Sequence, residues 1–126
     1  MSKPLAIFLG ACFLVSSGLI SAAAHAGDAA AGKKVFKKCK ACHYAAKDKN
    51  KTGPHLVNLI GREAGTVEGY KYSKAMKSSG IVWDEDTLTA YLRAPKKYIK
   101  GTKMAFVGLK KDADIENVVA YLMAEK

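Results

Sequence analysis

Apolar residues recur at helical spacing in three stretches of the chain. Ile115, Val118, Val119 and Leu122 fall at i, i+3, i+4 and i+7 behind Asp112, which predicts a final helix with one buried face. Leu88, Tyr91 and Leu92 form a second stripe. Asp84, Glu85 and Asp86 place negative charge on its first turn, where the helix dipole favours it, and Pro95 stops it near Ala94. A first helix is predicted from about Ala29 to Lys38, capped by Asp28, with Gly32, Val35, Phe36 and Cys39 on one face. Gly32 would let the two terminal helices approach closely, with Phe36 meeting Val118 or Tyr121.

Between these elements the periodicity disappears. From Tyr44 to Trp83 the chain is punctuated by Gly53, Pro54, Gly61, Gly65, Gly69 and Gly80, with a short helical possibility only near Ser73 to Ser78. Pro95 to Leu109 reads as a second irregular stretch. Loops of that length in a compact domain are expected only where they wrap something, so part of the interior is predicted not to be protein.

The N-terminus has another character. Leu5 to Ala24 is twenty residues without a charge, preceded by Lys3 and followed by Ala24-His25-Ala26, which predicts an export signal at 1–26 and a single domain at 27–126. An uncleaved membrane anchor, and a lipoprotein processed at Cys12, are the alternatives. The 126 residues carry Lys+Arg 21 against Asp+Glu 11, a net charge of +10. Removing the 26-residue leader, with its one lysine and no acid, leaves 100 residues and +9. Two cysteines remain, enough for one disulfide, which excludes a disulfide-dense scaffold. The chain has no glycine-rich phosphate loop, no H-E-x-x-H helix and no G-x-S-x-G elbow.

Cys39-Lys40-Ala41-Cys42-His43 is C-x-x-C-H, the signature of covalent c-type haem attachment. On a helical turn the two cysteines share a face and can each bond one vinyl group of a porphyrin, while His43 turns its ring to the iron. Zinc would need a fourth ligand beyond Cys39, Cys42 and His43, for which only His55 is left in the predicted mature chain, and a thioredoxin-like pair would need a βαβ context. Export fits the haem reading, because such attachment takes place outside the cytoplasm. For the sixth iron position the candidates are His55, Met76, Met104 and Met123. His55 reads as a surface residue, and Met76 and Met123 as packing or semi-exposed residues. Met104 lies in the irregular run Gly101 to Phe106, on a loop long enough to cross the haem face opposite His43, and is the favoured one.

At this point the chain resembles the class I c-type cytochromes, in particular the mitochondrial and bacterial periplasmic c2 types. The likeness rests on C-K-A-C-H at 39–43, K-T-G-P at 51–54, N-L-I-G-R at 58–62, the lone Trp83, and P-K-K-Y-I-K-G-T-K-M-A-F at 95–106. It implies a small all-α fold of three to five short helices and long loops around one covalent haem c, with the terminal helices packed together. It implies His43 and Met104 as axial ligands, Cys39 and Cys42 as thioethers, and Pro54 as the carbonyl that orients the His43 ring. Arg62, Tyr72 and Trp83 would serve a buried propionate, Tyr91 and Thr102 would be distal-side donors, and Phe106 would cover the haem edge. Met76 stands where the family often has an asparagine in a water-linked network, and the linkers around Cys39 and between His43 and Pro54 are slightly shorter than in the mitochondrial proteins.

The implied function is one-electron transport in the periplasm, not enzyme catalysis. Lys37, Lys38, Lys40, Lys51, Lys96, Lys97, Lys103, Lys110 and Lys111 are expected around the haem edge. They would steer a monomeric carrier onto acidic faces of quinol-cytochrome c oxidoreductases, terminal oxidases, photosynthetic reaction centres or periplasmic dehydrogenases. Export removes nucleic acid as a partner.

Overall fold

Asp28 opens the first helix as the sequence predicts. Its carboxylate accepts the N–H groups of Ala30 at 2.8 Å and Ala31 at 3.2 Å, two donors that the first turn leaves without helical partners. The computed structural model describes residues 27–125; the predicted leader lies outside them. Helix α1 runs Ala29–Val35 and tightens into a 3₁₀ turn, Phe36–Lys38, so the predicted first helix is one element in two geometries.

Helix α2, Lys74–Lys77, is the single turn expected near Ser73 to Ser78, with the Ser73 hydroxyl accepting from Met76 N–H at 3.1 Å. Helix α3, Glu85–Arg93, begins with a reciprocal cap: Thr87 N–H donates to Asp84, and Asp84 N–H to the Thr87 hydroxyl, both at 2.8 Å. Helix α4, Pro95–Tyr98, corrects the expectation of an irregular stretch after Pro95. A proline ring cannot continue α3, but its fixed φ and missing N–H suit the first position of a helix, so Pro95 ends one helix and starts the next. Helix α5 spans Asp112–Ala124.

The terminal helices make the most extensive helix contact among the described residues. A Cβ on Gly32 would lie 1.8 Å from the Asn117 carbonyl oxygen, so only a residue without a side chain lets α1 approach α5 this closely. Phe36 then packs on Tyr121 with ring centroids 5.3 Å apart, the second of the two partners expected for it. Ile115, Val118, Val119 and Leu122 are buried beneath, with Leu88 and Tyr91 of α3 in the same cluster. The described residues contain no named strand; a lone bridge pairs Glu63 with Val82. No described helix is long and apolar enough to cross a membrane.

Candidate functional site

The helical turns after Phe36 bring the motif together. Cys42 N–H and His43 N–H both donate to the Cys39 carbonyl, at 3.0 and 2.9 Å, which wraps Cys39, Cys42 and His43 around one turn. All three line a single cavity of about 270 Å³, and Met104 lines it too. Its walls are mostly apolar, with Phe36, Leu56, Leu59, Leu88, Leu109 and Val118 among them.

His43 is held in one orientation. Its Nδ1–H donates to the Pro54 carbonyl at 2.7 Å, which leaves Nε2 as the nitrogen free to ligate. Burial pushes the imidazole below its ordinary pKa, the Pro54 bond works against that, and the Lys51 charge adds to the lowering, so the ring is neutral at pH 7. Gly53 makes room for it: a Cβ there would lie 2.4 Å from a ring carbon of His43. Cys39 is half-buried and Cys42 exposed. Burial raises the Cys39 thiol, Lys38 opposes it, and Cys42 adds to the rise.

Elsewhere on the cavity lining Tyr91 connects two expected residues. Its hydroxyl lies 2.9 Å from the Thr102 hydroxyl and donates to the Met104 sulfur at 3.8 Å. With that single proton spent on sulfur, Thr102 must donate to Tyr91, and Thr102 Oγ1 accepts the Met104 N–H at 3.4 Å. Thr102 is buried but off the cavity wall, so it acts through Tyr91. Trp83 packs on Tyr91 with centroids 5.1 Å apart.

Arg62, Tyr72 and Trp83 all reach the cavity, and the first two also hold its loops. Arg62 donates to the carbonyls of Val57 at 2.7 Å and His55 at 3.1 Å, and Tyr72 accepts the Val67 N–H at 3.2 Å. Burial lowers the guanidinium from its ordinary value while Tyr72 offsets this; burial raises the Tyr72 phenol, opposed by the Val67 bond and by Arg62. Phe106 is half-buried on the same wall.

Several residues were not legible in advance. Tyr70 lines the cavity, packs edge-on against Tyr72 at 4.8 Å and donates to the Thr52 carbonyl at 2.8 Å; the Tyr70-Lys71-Tyr72 spacing is the only signal for it. Met76, read as packing or semi-exposed, is a buried wall residue. Met123 is 42% exposed, as expected for the end of the last helix. His55 is corrected from a surface residue to a partly buried one, and two of the rim lysines also bond backbone carbonyls at the surface. Lys51 Nζ donates to the Lys40 carbonyl at 2.7 Å above the Tyr44 ring, and Lys103 Nζ donates to the Lys71 carbonyl beside the Tyr70 ring.

This donor set suits a porphyrin held covalently. Two thiols, an oriented imidazole and a thioether meet in one apolar cavity, whereas the described residues contain no cluster of three or more His, Cys, Asp or Glu side chains suited to a bare metal ion. The comparisons agree. The cytochrome c family profile matches residues 29–126. Cytochrome c-550 of Nitrobacter winogradskyi is 52% identical over 97 residues, covering 76% of this chain and 89% of that protein. Cytochrome c2 of Blastochloris viridis is 45% identical over 111 residues, covering 87% and 86%. The solved structure of cytochrome cH from Methylobacterium extorquens superposes with a TM-score of 0.75 at 44% identity, over 79% of this chain and all of that one. The chain therefore belongs to the cytochrome c family: an all-α protein that carries one covalently attached haem c and exchanges electrons with redox proteins.

Proposed function

We propose that the chain is a periplasmic one-electron carrier in which Cys39 and Cys42 would hold the haem by thioethers and His43 and Met104 would ligate its iron. The observation that carries this reading is the convergence of those four side chains on one apolar cavity, with His43 already turned by Pro54. When bound, the haem supplies an Fe(II)/Fe(III) couple. The protein residues do the rest. Pro54 keeps the imidazole oriented with Nε2 free, burial keeps it neutral, and the soft Met104 sulfur favours the reduced state. Tyr91, backed by Thr102, fixes that sulfur through its hydroxyl proton. Arg62, Tyr72 and Trp83 serve a buried propionate, whose charge would be costly unpaired. Phe106 covers the haem edge, and Met76 makes the neighbouring wall apolar where a polar network would otherwise sit.

Export through a leader at 1–26, cleaved after Ala26, leaves 27–126 as a monomer in the periplasm. Lys38 and Lys103 lie on the cavity lining itself. With Lys37, Lys40, Lys96, Lys97, Lys110 and Lys111 they present positive charge to acidic faces of quinol-cytochrome c oxidoreductases, oxidases, reaction centres or periplasmic dehydrogenases. Docking of this kind is fast, salt-sensitive and weak, burying less than about 1,200 Å². No substrate chemistry is needed for an electron to leave through the haem edge, so the chain is a carrier and not an enzyme.

Absorption spectroscopy and mass spectrometry of the exported protein test this. The expected result is low-spin six-coordinate haem in both oxidation states on a 27–126 chain, with Met104→Ala opening the sixth position to carbon monoxide. A wild-type ferrous protein that is five-coordinate and binds carbon monoxide readily would overturn the carrier reading in favour of ligand binding or peroxidatic chemistry.

A further inference from the structure

His55 is an imidazole that the haem site does not use as a ligand, yet it stands where three segments meet. Its side chain is 15% exposed, and Nε2 lies 2.8 Å from the carboxylate of Asp48. Its Nδ1 accepts the Val57 N–H at 3.3 Å. Its own N–H donates to Asn50 Oδ1 at 3.1 Å, and Asn50 Nδ2 donates onward to the Glu68 carbonyl at 3.0 Å. The carbonyls of His55 and Val57 are the two that hold Arg62.

These contacts assign the ring's proton. A nitrogen that accepts an N–H is unprotonated, so Nδ1 is bare and Nε2–H donates to Asp48, which satisfies the neutral imidazole on both sides. A second proton would have to sit on Nδ1, facing the Val57 N–H donor to donor. Uptake therefore keeps the Asp48 contact but breaks the Val57 one, and the segment it disturbs is the Arg62 cradle. Among the described residues the charged groups that contact His55 are the Asp48 carboxylate, at its ring, and the Arg62 guanidinium, at its carbonyl.

We propose that His55 is a positioning residue for Arg62, and that a second proton on its imidazole loosens the 55–57 segment and so lowers the haem's reduction potential. This rests on Arg62 as the propionate partner. The direction follows from charge: a guanidinium near the haem opposes the extra positive charge of Fe(III), so releasing it favours the oxidised state. A proton acting through its own charge alone would do the reverse, which makes the sign diagnostic.

His55→Gln tests it, because a glutamine can accept from Val57 and donate to Asp48 without titrating. In spectroelectrochemical titrations of the holoprotein from about pH 8 to 5, wild type and H55Q should coincide at the alkaline end. Toward pH 5, at fixed ambient potential, the wild-type reduced-to-oxidised ratio should fall about two- to fivefold below that of H55Q. The Arg62 Nε–H signal in nitrogen NMR should move with the His55 ring signals in wild type and stay still in H55Q; His55→Asn gives the same readout if H55Q does not fold. Coincident potentials at all pH values, or a wild-type ratio that rises relative to H55Q, would overturn the proposal. Arg62→Ala, measured alongside, separates the two levels. An unchanged potential in R62A sinks the propionate reading itself, whereas a lowered one with coincident wild type and H55Q sinks only the role of His55.

Discussion

The helical frame and the loop wall of this molecule are stabilised by different physics. In the frame, α1, α3 and α5 bury apolar side chains against one another, with Ile115 at 0% exposure and Gly32 flush against Asn117. In the wall, residues 44–83, the chain is shaped by side chains bonding to backbone: Asn50 to Glu68, Arg62 to His55 and Val57, Tyr70 to Thr52, His43 to Pro54. Area burial is diffuse and survives small changes, but a close backbone approach or a single bonded side chain does not. The frame should therefore fail as a unit and the wall should fail locally.

Gly32→Ala is the largest expected effect. The added methyl meets backbone on α5 and not a flexible side-chain tip, so α1 must back away and expose the Phe36–Tyr121 contact. A loss of about 3 kcal/mol or more is expected in denaturant unfolding, with one cooperative transition that still involves the whole protein. If G32A unfolds at the wild-type midpoint, the frame is not as tightly apposed as its geometry indicates.

Arg62→Ala should cost less and cost it elsewhere. Two hydrogen bonds from a partly buried guanidinium are lost and two carbonyls are left for water, a loss of about 2 kcal/mol. Hydrogen exchange should speed up in 55–63 while the α5 amides keep their protection. Uniform acceleration in both regions would mean that frame and wall are one cooperative unit.

The same division explains what the sequence reveals. Helical spacing exposes α1, α3 and α5 because their burial repeats every three or four residues, and C-x-x-C-H exposes Cys39, Cys42 and His43 because covalent attachment demands that spacing. The wall has no such repeat. Bonds such as Asn50 to Glu68, 18 residues apart, join unlike groups across loops and leave no pattern in composition. His55 looks like a surface histidine because only its two partners, Asp48 and Val57, show that it is held. Helix α4 is a single turn, too short for periodicity, and its one signal, Pro95, doubles as the stop of α3. Lys51 and Lys103 keep their charge, and the bonds they also make to the carbonyls of Lys40 and Lys71, 11 and 32 residues away, leave no mark in the sequence.

Tyr91→Phe sits on the boundary, since Tyr91 belongs to α3 but its hydroxyl serves the loop that carries Met104. The ring packing on Trp83 survives, so the loss should be about 1 kcal/mol, from the Thr102 and Met104 contacts alone. The matching change is spectroscopic: the ferric absorption band of the sulfur ligation should weaken at a lower denaturant concentration than helix content is lost. Coincident transitions in Y91F would show that the hydroxyl does not hold the sulfur in place.

Asp84→Asn is the smallest expected effect and tests the frame by pH. The Asp84 carboxylate lies below the usual carboxylate range, chiefly because it accepts the Thr87 N–H, with the Thr87 hydroxyl adding to the lowering. A folded value below the unfolded one means that the ionised cap stabilises α3 fully above about pH 4 and that this contribution is lost as pH falls through the lowered folded value. Asparagine still offers an oxygen to Thr87 but carries no charge, so D84N lacks the acid-sensitive part. The stability difference between wild type and D84N should be present at pH 7 and shrink as pH falls below about 4. Because Leu88 and Tyr91 remain buried in both proteins, packing keeps α3 folded through that change, and only the difference between the two unfolding curves should move. A difference that stays constant across the acid range would show that the cap works through its hydrogen bonds alone, without its charge.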